Sequence, residues 1–80
     1  MYYTYILKSQ FNGTYYKGST SDLEKRLKFH NAGKSKYTKK YRPWKLHYYE
    51  SFETKTEAIK RELFFKSVEG HFWLKQNGII

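Results

Sequence analysis

Two helical segments carry the residue types that could do chemistry. In "SDLEKRLKFHN", Arg26 and His30 fall four residues apart, so they are neighbours on one helix face. They sit on the flank of a stripe marked by Leu23 and Leu27. An arginine in such a place often only turns its guanidinium outward from the core edge, and a lone histidine is more often structural than catalytic. In "EAIKRELFFK", Glu62 falls inside an apolar arc drawn by Ala58, Ile59, Leu63 and Phe65. An unpaired carboxylate avoids such a place. A metal ion or a cluster of hydrogen-bond donors would justify it, and so would Lys66, four residues on. Gly18, without a Cβ, permits either a tight turn or close backbone approach, for instance by a phosphate.

The elements that must position these groups are legible in outline. "MYYTYILKS" is rich in aromatic and β-branched residues and reads as a first strand. Asn12-Gly13 is a strong signal for a two-residue type I′ hairpin turn. That turn would open a second strand over about Thr14 to Lys17 and pair Phe11 with Thr14 and Ser9 with Tyr16. Directly paired residues share a face, so Tyr5, Leu7 and Ser9 would share one with Tyr16 and Gly18. Ser21 and Glu24 make a capping box for the first helix, with Asp22 in its first turn suiting the dipole. Gly33 suits its end. "KSKYTKKYRPWK" is a cationic loop or short helix, with Pro43 leading into a strand over "LHYYESF". Thr54 and Glu57 form a second capping box that opens the helix "KTEAIKRELFFK". The tail reads as a broken final helix, with Phe72, Trp73 and Leu74 covering the sheet.

Eighty residues set one domain, 1–80, as the expectation. The chain has no cysteine, which excludes a disulfide framework and a cysteine zinc site, and fits a reducing compartment such as the cytoplasm. No window resembles a membrane span or a signal peptide. Nine Tyr, six Phe and two Trp must supply the core. Sixteen Lys and Arg against seven Asp and Glu give a net charge of +9. With a pI of 9.8, the chain fits a polyanionic partner. Tyrosines interleaved with Lys17, Lys34, Lys36, Lys39, Lys40 and Arg42 suit exposed bases and backbone phosphates.

Taken together, the pieces resemble the GIY-YIG endonuclease family, and in particular its small stand-alone bacterial group. Tyr3-Thr4-Tyr5 stands where the first motif stands, with Tyr3 in place of the motif's glycine, and Tyr16-Lys17-Gly18 stands where the second stands. "DLEKRLKFHN" is similar to the helix bearing the family's catalytic arginine, here Arg26, with His30 one turn on. "EAIKRELFFK" resembles the helix bearing the metal-binding glutamate, here Glu62, and "YTKKYRPWKLHYYE" looks like the middle of the stand-alone group. Asn77 is not at a convincing spacing for the asparagine that several members carry. The resemblance implies an α+β fold, a small three-stranded antiparallel sheet flanked by helices. It also implies hydrolysis of DNA phosphodiesters with Mg²⁺ or Mn²⁺ on Glu62. Arg26 would clamp the phosphate. Tyr16 or Tyr5 would accept the proton of the attacking water, although a free phenol with a pKa near 10 is a poor base at neutral pH. His30 would relay that proton or orient a tyrosine.

The expected substrate is branched, nicked or single-stranded DNA, cut with selectivity for structure or weak selectivity for sequence, as in repair or recombination. Specificity could also come from a partner protein or a dimer. A non-catalytic nucleic-acid-binding module on the same fold is the alternative reading. A domain whose basic surface meets acidic protein partners is a further one.

Overall fold

The computed structural model describes residues 1–80. Strands β1 (Tyr2–Ser9) and β2 (Tyr15–Thr20) form an antiparallel hairpin. β3 (Trp44–Phe52) pairs antiparallel on the other side of β1, giving the order β2-β1-β3. The helices are α1 (Leu23–Asn31), α2 (Lys36–Lys39), α3 (Lys55–Lys66) and α4 (Val68–Gln76). The fold is α+β, as expected.

The hairpin differs from expectation in its register. Tyr5 pairs with Gly18 and Leu7 with Tyr16, so the loop is longer by two residues than an Asn-Gly turn would make it. The reason is local. Ser9 Oγ accepts from the N–H groups of Phe11 and Asn12, and Asn12 Oδ1 accepts from the Thr14 N–H and hydroxyl. Side chains therefore satisfy the backbone of a wider loop. Because the slip is by two, side-chain parity survives. Tyr5, Leu7, Ser9, Tyr16 and Gly18 still share a face.

β2 runs on to Thr20, so Gly18 lies within the strand and not at a turn. The N-cap of α1 is accordingly Asp22, not Ser21, and its carboxylate accepts the Lys25 N–H at 3.0 Å. Gly33 ends the helix with φ +78°, where its N–H reaches back to the His30 carbonyl. Thr54 caps α3 as read, accepting the Glu57 N–H.

Two clusters sit on opposite faces of the sheet. Tyr5, Leu7 and Trp44 pack with Leu23 and Leu27 of α1. Ile6, Phe65 and Leu74 join α3 and α4 to the other face. Fully burying side chains of this size contributes ~1.5–3 kcal/mol each. Of the α3 arc, Ala58 and Phe65 are buried, whereas Leu63 is 62% exposed. Between them the inward line holds two charged side chains, Glu62 at 19% exposure and, at 27%, Arg61. Its guanidinium grips Glu50 with two hydrogen bonds (2.8 and 3.2 Å) and lies over the rings of Phe64, Phe65 and Trp73. Phe72, expected on the sheet, points outward, while Leu74 is buried. α4 comes close to α3 at Gly70, where a Cβ would fall 1.7 Å from the Phe64 carbonyl oxygen.

Candidate active site

His30 is the one fully buried side chain of α1. Leu23 and Leu27 beside it are only partly buried, so the imidazole, not a leucine, is the most deeply inserted side chain of this helix face. Its Nε2 lies 3.1 Å from the Tyr5 hydroxyl and its Nδ1 lies 2.8 Å from Thr38 Oγ1. Arg26, one turn earlier, donates from Nε to the same hydroxyl at 3.4 Å. A guanidinium can only donate, so the Tyr5 oxygen accepts there, which leaves its own proton available to His30 Nε2. In the tautomer that takes this proton, the imidazole hydrogen sits on Nδ1 and points to Thr38. Burial, and secondarily the Arg26 charge, holds the His30 pKa down at about 4. The ring is therefore neutral at pH 7. Burial pushes the Tyr5 phenol up to about 12, against the lowering effect of its Arg26 hydrogen bond.

Gly18 explains how a tyrosine reaches that position. The Tyr5 ring crosses its strand partner and fills the space a side chain there would occupy. A Cβ on Gly18 would lie 2.5 Å from the Tyr5 hydroxyl oxygen. The backbone approach expected at this glycine thus comes from a phenol of the same chain.

Tyr16 packs beside this line, its ring centroid 4.9 Å from that of His30 and 6.4 Å from that of Tyr5. Unlike Tyr5, which is 2% exposed, Tyr16 borders an open cavity of about 280 Å³ at the free edge of β2, with Lys17, Tyr37 and Lys66. Burial and the neighbouring Lys66 charge lower the Lys17 pKa.

Glu62 approaches from α3, on the other face of the sheet. Its carboxylate accepts from Lys66 Nζ at 2.7 Å, the intrahelical pairing the sequence allows. It makes no hydrogen bond to the Tyr5–His30–Arg26 line, although its charge contributes to raising Tyr5. The donor set decides which ions suit it. No three His, Cys, Asp or Glu side chains cluster, so the chain offers no protein cage of the kind zinc prefers. One partly buried carboxylate that already draws a cation fits a hard ion that keeps most of its waters.

The basic residues divide. Lys34, Lys36, Lys39 and Lys40 are exposed around α2. Arg42 is also exposed, but its guanidinium donates to the carbonyls of Lys39 and Asn31. Thr38 carried no signal in the sequence, yet it is fully buried. Besides holding His30, its carbonyl accepts from Trp44 Nε1 at 2.7 Å. Asn31 similarly binds both backbone groups of Trp44, tying the end of α1 to β3.

A family model described as the GIY-YIG catalytic domain matches residues 1–76. A UPF0213 protein of Bacillus licheniformis is 48% identical over 68 residues, which cover 84% of this chain and 69% of that protein. The UPF0213 protein YazA of Bacillus subtilis is 47% identical over 68 residues, covering 84% of this chain and 68% of that one. A UPF0213 protein from Bacillus halodurans, solved by solution NMR, is 35% identical. That match covers 95% of this chain and 84% of the solved one, with a TM-score of 0.54. A match of that extent, together with a solved relative of like fold, means that the chain belongs to the GIY-YIG family of nuclease domains.

Proposed function

We propose that this protein is a metal-dependent endonuclease that hydrolyses phosphodiester bonds in DNA. The observation that carries the reading is the fixing of Arg26. Its Nε is held by the buried Tyr5–His30 pair, its guanidinium carbon lies 4.3 Å from the Phe29 ring centre, and its outer N–H groups make no hydrogen bond within the protein. A planar cation held by its inner edge, with its outer edge free, is prepared to grip two oxygens of a phosphate. The net charge of +9 adds phosphate-directed attraction that positions without reading sequence. It supports cutting by DNA shape with little sequence preference.

In the reaction, a water oxygen bonds to phosphorus as the bond to the 3′-oxygen breaks. Tyr16 is the better acceptor for the water's proton. It borders an open cavity, whereas Tyr5 is enclosed and its phenol is held protonated. As Tyr16 accepts, it passes its own phenolic proton to solvent, while the departing 3′-oxygen takes a proton back from solvent. Tyr5 and His30 act as positioning residues for Arg26. Glu62 would hold the Mg²⁺ or Mn²⁺, which when bound polarises the phosphate and steadies the departing oxygen. Lys66 must first release the carboxylate. The test uses purified protein with either ion and supercoiled, nicked, branched and single-stranded DNA. Cleavage lowered ~10²-fold or more by Arg26→Ala and abolished by Glu62→Ala is expected. Cleavage of nothing, or cleavage indifferent to both changes, would overturn the reading.

A further inference from the structure

Tyr37 has no part in the chemistry above. It belongs to α2, whose buried side chain is Thr38, and is itself 55% exposed. Its ring centroid lies 6.0 Å from that of Tyr16 and 5.8 Å from that of Tyr41. It forms a wall common to two open cavities. One, of about 280 Å³, holds Tyr16, Lys17 and Lys66. The other, of about 470 Å³, holds Lys36, Lys40 and Tyr41. The mount beneath it is firm, because Thr38 is fixed through its hydroxyl to His30 and through its carbonyl to Trp44. A half-exposed ring bordering two open cavities thus stands between ammonium groups, beside the proposed proton acceptor.

We infer that Tyr37 is a stacking platform for the base of the nucleotide beside the scissile phosphate, and that the protein's substrate is DNA in which that nucleotide is unpaired. Stacking on an aromatic ring tolerates any base, since each has a π-face, while flanking cations follow the backbone. In an intact duplex both faces of a base are covered by its neighbours, so the platform is filled only where pairing is broken. Tyr16, on one side of the platform, marks the reacting end. Lys36 and Lys40, on the other, receive the next phosphate. The inference rests on the nuclease reading for the place of the scissile phosphate, but its binding test does not need cleavage.

The experiment measures binding, without divalent ions, to duplexes carrying one unpaired nucleotide. That nucleotide is 2-aminopurine, a normal base or an abasic analogue. Wild type, Tyr37→Ala and Tyr37→Phe are compared, with circular dichroism confirming that each folds. Tyr37→Ala should weaken binding to the base-bearing DNA about tenfold and leave the abasic DNA unchanged. Tyr37→Phe should bind as wild type does. Quenching of 2-aminopurine fluorescence should appear with wild type and Tyr37→Phe and vanish with Tyr37→Ala. Equal loss for base-bearing, abasic and fully paired DNA, or no loss at all, would overturn the platform. If stacking is found but no substrate is ever cut, the nuclease reading fails and the platform stands. If paired and unpaired DNA are cut equally by wild type and Tyr37→Ala, the reverse holds.

Discussion

Tyr5 and Gly18 are strand partners in which the ring of one fills the side-chain space of the other. That relationship carries the phenol to its meeting with His30 and Arg26. It also makes Gly18 a determinant of the site although it has no functional group. In Gly18→Ala the new methyl would meet a ring that is enclosed and held by two hydrogen bonds. Overpacking of this kind costs ~1–3 kcal/mol. Cleavage should fall further than that loss explains, because Arg26 loses the acceptor that fixes it. Tyr5→Phe separates the two effects. It keeps the ring but leaves buried partners unpaired, at ~1–3 kcal/mol. Urea denaturation and cleavage rates of both variants give the measurement, and a Gly18→Ala protein that cuts at the wild-type rate would refute the argument.

The sharing of a face by Tyr5 and Tyr16 was legible from the alternation of strands, and it survived an error in loop length because the error was even. The start of α3 was legible because Thr54 is a cap with a single reading. What failed depended on partners distant in sequence. Ile59 and Leu63 look like core residues. Their place is taken by Arg61, an arginine made compatible with the interior only by Glu50 and by the rings of Phe65 and Trp73. Glu62 does lie on that inward line, its side chain only 19% exposed, with its carboxylate turned to Lys66. Thr38, a threonine among lysines, has no periodicity to mark it, and only the imidazole above it shows why it is buried.

His30 predicts a pH dependence of stability. Its pKa is held at about 4 in the folded protein, against about 6.5 for a free imidazole. Between these values the unfolded chain binds the proton and the folded chain does not, so stability rises with pH across the window. The contribution is fully present above pH 6.5 and is lost as pH falls toward 4. Its full size is about 3 kcal/mol by the linkage relation. Carboxylates titrate in the same range, so the readout is the difference between proteins. His30→Gln should be less stable at pH 7 and show a shallower decline to pH 4. Parallel stability curves for the two would remove His30 from the account.

Lys66 predicts a gain from a loss. Its ammonium occupies the Glu62 carboxylate at 2.7 Å and is itself nearly half exposed (48%), so the pair contributes no more than about 1 kcal/mol to stability. Lys66→Met should therefore leave the folding free energy nearly unchanged. It should also lower, several-fold, the Mg²⁺ or Mn²⁺ concentration giving half-maximal cleavage at saturating DNA, because the ion no longer competes with an ammonium. Glu62→Gln should abolish the response to metal while folding normally. An identical metal titration for wild type and Lys66→Met would show that the two cations do not share the carboxylate.

Arg26 separates charge from shape. Lysine at this position would keep the positive charge but lose the planar fork, the stacking on Phe29 and the Nε–H that Tyr5 accepts. If the site works by a fixed pair of N–H groups aimed at phosphate oxygens, Arg26→Lys should be nearly as poor as Arg26→Ala, with cleavage down by ~10²–10³, the loss typical of one oriented donor. DNA binding measured without divalent ions should fall much less for lysine than for alanine, since the electrostatic attraction survives. If charge alone were at work, Arg26→Lys would cleave close to the wild-type rate. In that event the buried hydrogen-bonded line through Tyr5 and His30 would serve only to hold α1 against the sheet.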